Sequence, residues 1–151
     1  MTDPLSFTSA SARFDLPYLF AGQAQKEFTV NEAIARIDAL LHGAIEGEAS
    51  SPPAGPEEGE CWLVGSSPVG AWADRAGQIA CHQAGNWLFV VPVDGLRVFN
   101  RSAGQILLFS GGWQAPSAPA APTGGTIIDS QARTAIAALV SALQQAGVLP
   151  A

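Results

Sequence analysis

Gly77-Gln-Ile-Ala-Cys-His-Gln-Ala-Gly-Asn-Trp87 is the stretch that decides the fold, and Gly104-Gln-Ile-Leu-Leu-Phe-Ser-Gly-Gly-Trp113 uses the same device again. Each has a short apolar run, a glycine turn and a tryptophan that opens the return strand. Ala84-Gly-Asn86 and Ser110-Gly-Gly112 supply the positive φ that tight hairpins demand. Gly70-Ala-Trp72 reads as a degenerate third copy. Residues 60–114 are therefore expected to form a small antiparallel sheet or open barrel of about five to seven strands.

Outward from this block the texture changes on both sides. Residues 50–59, Ser-Ser-Pro-Pro-Ala-Gly-Pro-Glu-Glu-Gly, fit neither helix nor strand, because Pro52, Pro53 and Pro56 remove donors and fix φ; they read as a hinge. Before it, Thr29-Val-Asn-Glu32 reads as a capping box. Val30, Ile34, Ile37, Leu41 and Ile45 follow at spacings of three and four, which predicts a helix over about 30–42 with one apolar stripe. Residues 1–28 begin loop-like, with Leu16 to Phe20 apolar enough to dock on a core. Residues 1–49 thus form an N-terminal anchor segment and helix. After the β block, residues 115–126 are a Pro/Ala/Gly spacer with an extended path. Residues 127–151 hold a second helix capped by Asp129. Ala132, Ile136, Leu139, Leu143 and Ala146 take its a/d heptad positions, and Gly147 stops it. The fold class expected is α+β.

Composition narrows the function classes. The chain has 151 residues, 48% of them apolar and only 13% charged. Soluble domains carry about 25% charged residues, so part of this surface reads as destined for burial against other chains. The net charge is −6, with Lys26 the single lysine, which argues against a nucleic-acid-binding face. The first residues lack the basic and apolar regions of a secretory signal, and no apolar run approaches membrane-spanning length. Synthesis in the cytoplasm is expected. Cys61 and Cys81 have no paired spacing for zinc. One disulfide between them is an alternative to the plainer expectation of two buried free thiols on strands.

Catalytic chemistry is hard to assemble from these residues. His42 and His82 are the two histidines, and no nucleophile-elbow, phosphate-loop or zinc-protease pattern occurs. Cys81 and His82 are neighbours on a strand, so their side chains are expected on opposite faces. Glu57, Glu58 and Glu60 read as a solvated loop rather than a cation site. No catalytic residue, metal or cofactor is expected. The tryptophans offer the strongest binding alternative: Trp72 and Trp113 lie near turns, where exposed rings could stack on sugars, against the plainer role of filling a small core.

Several motifs together resemble a family of bacteriophage and gene-transfer-agent structural proteins of unknown function. These are Gln23-Ala-Gln-Lys26, Asn31-Glu32, Pro52-Pro53, Gly59-Glu-Cys-Trp-Leu-Val-Gly65, Gly70-Ala-Trp72, Gly77-Gln-Ile-Ala80 and Gly85-Asn-Trp87. The similarity spans roughly residues 13 to 115. The end, Ile128 to Ile136 and Gly147-Val-Leu149, resembles the terminal helices of phage fibre and spike proteins. The resemblance implies a non-enzymatic virion component of a phage or gene transfer agent, assembled in the bacterial cytoplasm. A head-spike base or fibre-attachment protein fits best, because longer relatives carry a receptor-binding region downstream. The alternative is a carbohydrate-binding module for host surface polysaccharide. Expected partners are copies of the chain, as a trimer or pentamer, together with capsid or other particle proteins and a fibre or spike protein. Neither nucleic acid nor membrane is among them. Ile136, Leu139, Leu143 and Ala146 are the expected oligomer interface; Gln23, Gln25, Lys26 and Asn31 are the expected particle contacts.

Overall fold

The computed structural model describes residues 11–13, 16, 18–19, 26–125 and 129–150. The order is α1 (Lys26–Leu40), β1 (Ala44–Ile45), β2 (Glu48–Ala49), β3 (Cys61–Val64), a 3-10 turn (Gly70–Trp72), β4 (Ile79–Gln83) and β5 (Asn86–Val90). Then come β6 (Arg97–Asn100), β7 (Gln105–Phe109), β8 (Trp113–Gln114) and α2 (Ser130–Gln145). The architecture is α+β, as expected.

The two glycine hairpins fold where the sequence places them, but in different sheets. One sheet has the order β2-β3-β4-β5 and the other β1-β6-β7-β8. In the first, Ala84 and Gly85 turn the chain with φ of 51° and 71°, the left-handed pair that a two-residue hairpin requires. Strands β1 and β2 pair in parallel with β6 and β3, respectively. Lying only a few residues apart, they stitch the two sheets together.

Alternation along each strand sorts side chains to two faces. Cys61, Leu63, Ile79, Cys81, Leu88 and Val90 point inward, where they meet Ile45, Val98 and Leu107 of the second sheet and Ala35 and Ala39 of α1. Behind the first sheet, Trp72 covers Val64 and Ala80, with Trp62, Trp87 and Phe89 packed around it. Both faces of the β2–β5 sheet are thus closed. This explains why its strands read as nearly continuous apolar runs.

Three expectations need correction. Residues 50–59 do not separate two folding units, since β1 and β2 lie before them yet belong to the same sheets as the strands after them. Helix α1 starts by Lys26, which puts Thr29 inside its first turn rather than at the cap. Its buried face matches the anticipated stripe only at Ile34 and, past the helix, at Ile45. Glu27, Asn31, Ala35, Asp38 and Ala39 face inward, whereas Val30, Ile37 and Leu41 are exposed. Alanines allow the helix to approach the sheet closely, and the buried Asn31 and Asp38 bond the incoming chain.

Candidate functional site

That incoming chain is held by a polar hub. The buried Asp38 carboxylate accepts from Ser11 Oγ at 2.6 Å and from the Arg13 backbone N–H at 3.0 Å. The Arg13 guanidinium then donates to the carbonyls of Asp38, Ala39 and His42. Helix α1 has no basic residue in its last turn, so Arg13 supplies from outside the charge that its C-terminal carbonyls favour. Further along, Tyr18 enters the core and its hydroxyl accepts from Gln83 Nε2 at 2.9 Å. Burial pushes the Tyr18 phenol above its ordinary value.

Asn31, expected as a particle contact, belongs to this intramolecular system. Its amide accepts from the Leu19 N–H at 2.8 Å and donates to the Leu19 carbonyl at 3.0 Å, and the side chain is buried. Asn31 is therefore committed to its own chain. Lys26 is exposed at the start of α1. Gln23 and Gln25 lie outside the described residues.

Three apolar surfaces face outward. On α1 and just past its end, Val30, Ile37 and Leu41 recur at helical spacing beside the buried face. The outer side of the second sheet bears Phe99, which is exposed, and Ile106 and Leu108, which are half-buried and line an open groove of about 530 Å³ with Arg97, Pro116 and Val148. The sequence signal for this face, missed by the reading above, is the run Ile106-Leu-Leu-Phe109, apolar at inward and outward positions alike.

The third surface is α2. Asp129 caps it as expected, accepting from the N–H groups of Gln131 and Ala132 at 3.0 and 2.9 Å. Gly147 ends it with φ of 68° in a Schellman arrangement: its own N–H bonds the Gln144 carbonyl, and Val148 N–H bonds the Leu143 carbonyl. Past this stop the chain is pinned to the body. Ile106 N–H donates to the Gly147 carbonyl at 2.6 Å, and Leu149 is buried. Yet none of the sixteen residues of α2 is buried, and Leu139 is 60% exposed. Ile136 and Ala146 are exposed as well, and Leu143 is half-buried.

The remaining candidates have local duties. Trp72 is 0% exposed, packed edge-on against Trp87 with ring centroids 5.0 Å apart, so it is no stacking platform. Trp113 is half-buried against the core and spends its indole N–H on the Gly77 carbonyl at 2.8 Å. Glu58 accepts from the N–H groups of Ala84 and Gly85 at 2.6 and 2.8 Å, clamping the hairpin tip. Its carboxylate also lies 3.5 Å from His82 Nδ1. His82 stacks beside Trp87, whereas Cys81 faces the core on the opposite side of β4. Among the described residues, no group of three or more metal-ligating side chains converges, and no helix is long and apolar enough to cross a membrane.

Fold and surfaces together define a small α+β protein with two sheets around one core and two helices carrying outward apolar stripes. A family model described as a protein of unknown function (DUF2793) matches residues 30–114. The match runs from the first turns of α1 to the end of β8, more than half of the sequence, and the chain belongs to that family. No curated protein matches it.

Proposed function

We propose that this protein is a non-enzymatic structural component of a phage-like particle, a head-spike base or fibre-attachment protein that self-associates through α2. The carrying observation is a helix capped at both ends and tied to the body past its C-terminus, yet with no residue of its own buried. An isolated helix of this length is marginal in water, so α2 gains its stability by covering its stripe. Its only charged residue is Arg133, which is occupied by the carbonyls of Pro122 and Gly124. A solvent-facing helix ordinarily carries charge on its outer side. A neutral stripe of Ile136, Leu139 and Leu143 instead suits copies of itself, each aliphatic side chain contributing about 1.5–3 kcal/mol when fully buried. The resemblance to phage and gene-transfer-agent structural proteins supports the particle setting. Lys26 and the outward stripe of α1 supply a second contact surface, facing the particle.

The test is the native mass of the full chain beside that of the double variant Leu139→Asp, Leu143→Asp. The wild type should be a trimer or pentamer and the variant a folded monomer. A monomeric wild type, or a variant that keeps the oligomeric mass, refutes the role of α2.

A further inference from the structure

Cys61 and Cys81 lie in a position the assembly reading does not use. Register places them directly opposite on β3 and β4. The flanking ladder shows which kind of pair they are. His82 N–H bonds the Glu60 carbonyl, and Val64 N–H bonds the Gln78 carbonyl. By alternation, 61/81 is a non-hydrogen-bonded site, where Cα atoms sit about 4.5 Å apart. Disulfides form at Cα separations of about 4.4–6.8 Å, so no backbone movement is required to bridge them. The two Sγ atoms are already 2.6 Å apart, both on the core-facing side of the sheet and both buried.

We infer that Cys61 and Cys81 form an intrachain cross-strand disulfide when the protein meets an oxidising low-molecular-weight disulfide. The inference goes beyond the assembly reading and stands independently of it. In the first step the Cys61 thiolate attacks one sulfur of the oxidant R–S–S–R, forming a mixed disulfide and releasing R–S⁻, which takes up a proton. Cys81 then gives up its proton as its sulfur attacks Cys61 Sγ, and the second R–S⁻ leaves. Two protein thiols are oxidised to one disulfide, and one R–S–S–R is reduced to two R–SH. The order follows from the pair's asymmetry. The hydrogen bond shared with Cys81 holds the Cys61 thiol below its usual value, while the same sharing, with burial, pushes Cys81 far up. Burial also sets the kinetics: exchange requires β3 and β4 to open, or occurs while they are folding.

The crosslink joins positions twenty apart and closes a loop that contains the 3-10 turn and Trp72, the lid of the rear aromatic cluster. The bond constrains the unfolded chain, and a loop of this size should raise the thermal midpoint by about 10 °C. The experiment uses the full chain, purified reduced and equilibrated with oxidised glutathione both in the native state and during refolding from denaturant. Denaturation with iodoacetamide and intact-mass measurement follow. The expected result is a monomeric chain without added label, lighter by two hydrogens, whose higher midpoint a reductant reverses. Cys61→Ser and Cys81→Ser should each lose the oxidant-dependent rise. Two alkylated cysteines in both arms, a stable glutathione adduct, or only interchain dimers would overturn the inference.

Discussion

Replacing Asp38 by alanine should cost more than any other single polar deletion in this fold. Asp38 is an acidic residue with no solvent exposure, in the last turn of a helix. It is tolerated there because its oxygens receive the Ser11 hydroxyl and the Arg13 N–H. Alanine removes the acceptor and leaves the buried Ser11 hydroxyl and the partly buried Arg13 N–H without it, at up to about 1–3 kcal/mol for each. The Arg13 guanidinium also loses its positioning, and with it three carbonyls at the end of α1 lose their cap. The total should reach about 3–5 kcal/mol, a large part of the 5–15 kcal/mol typical of a domain. Urea unfolding followed by tryptophan fluorescence would show the midpoint falling by about 2 M, since small domains lose roughly 1–3 kcal/mol per molar urea. Ser11→Ala removes one donor to Asp38 and the acceptor of the Leu16 N–H but leaves Arg13 bonded, so it should cost less, about 1–2 kcal/mol. If Asp38→Ala costs less than about 1 kcal/mol, or no more than Ser11→Ala, the N-terminal segment is not held through this carboxylate.

Three further outcomes follow from the same geometry. Trp72→Ala should destabilise by about 3–5 kcal/mol in thermal or urea unfolding, whereas Trp72→Phe should cost far less, because the buried indole N–H has no hydrogen-bond partner to lose. Ala84→Gly should raise stability by up to about 1 kcal/mol, since an L side chain at φ of 51° is strained and the Glu58 clamp acts on backbone amides that remain. Raising the pH past the ordinary tyrosine range should weaken the fold. The native state holds the Tyr18 proton more tightly than the unfolded chain, so stability present below the unfolded value is lost above it. Unfolding of Tyr18→Phe over the same pH series should show a shallower alkaline decline.

What the sequence discloses is local chemistry, and what it conceals is the choice between competing faces. The glycine turns at 84–85 and 111, the Asp129 cap and the Gly147 stop are all set by backbone demands within a few residues, and each appears where the sequence predicts it. Helix α1 shows the other case. Its apolar periodicity is real, but burial follows alanine and the two hydrogen-bonding residues Asn31 and Asp38, whose donors and acceptors come from residues 12 to 27 positions away in sequence. No window on the helix alone contains that information. Strands β1 and β2 escape for a related reason: two residues each, they exist only through parallel partners downstream. Trp72 is legible as an aromatic near a turn, but its complete burial depends on Trp62, Trp87 and Phe89 converging from two strands.

The displaced stripe of α1 bears on the assembly reading in a way the helix pattern could not. Had Val30, Ile37 and Leu41 filled the core, the low charge content would have only α2 to account for. Instead the core closes without them, and the outer side of the second sheet adds the exposed Phe99 beside the half-buried Ile106 and Leu108. Contiguous exposed apolar surface is rare on free monomers and marks contact with other chains. The family match ends at residue 114 and so contains the α1 stripe and the sheet face but not α2. Two classes of contact are thus separable. On the proposed reading, surfaces within the matched region meet a partner recognised by the β-core itself, and α2, reached by its own spacer, meets other copies of the chain. On the proposed assembly, aspartates at 139 and 143 should abolish self-association while leaving the α1 stripe and sheet face in place, because Leu139 is 60% exposed and no residue of α2 is more than half-buried.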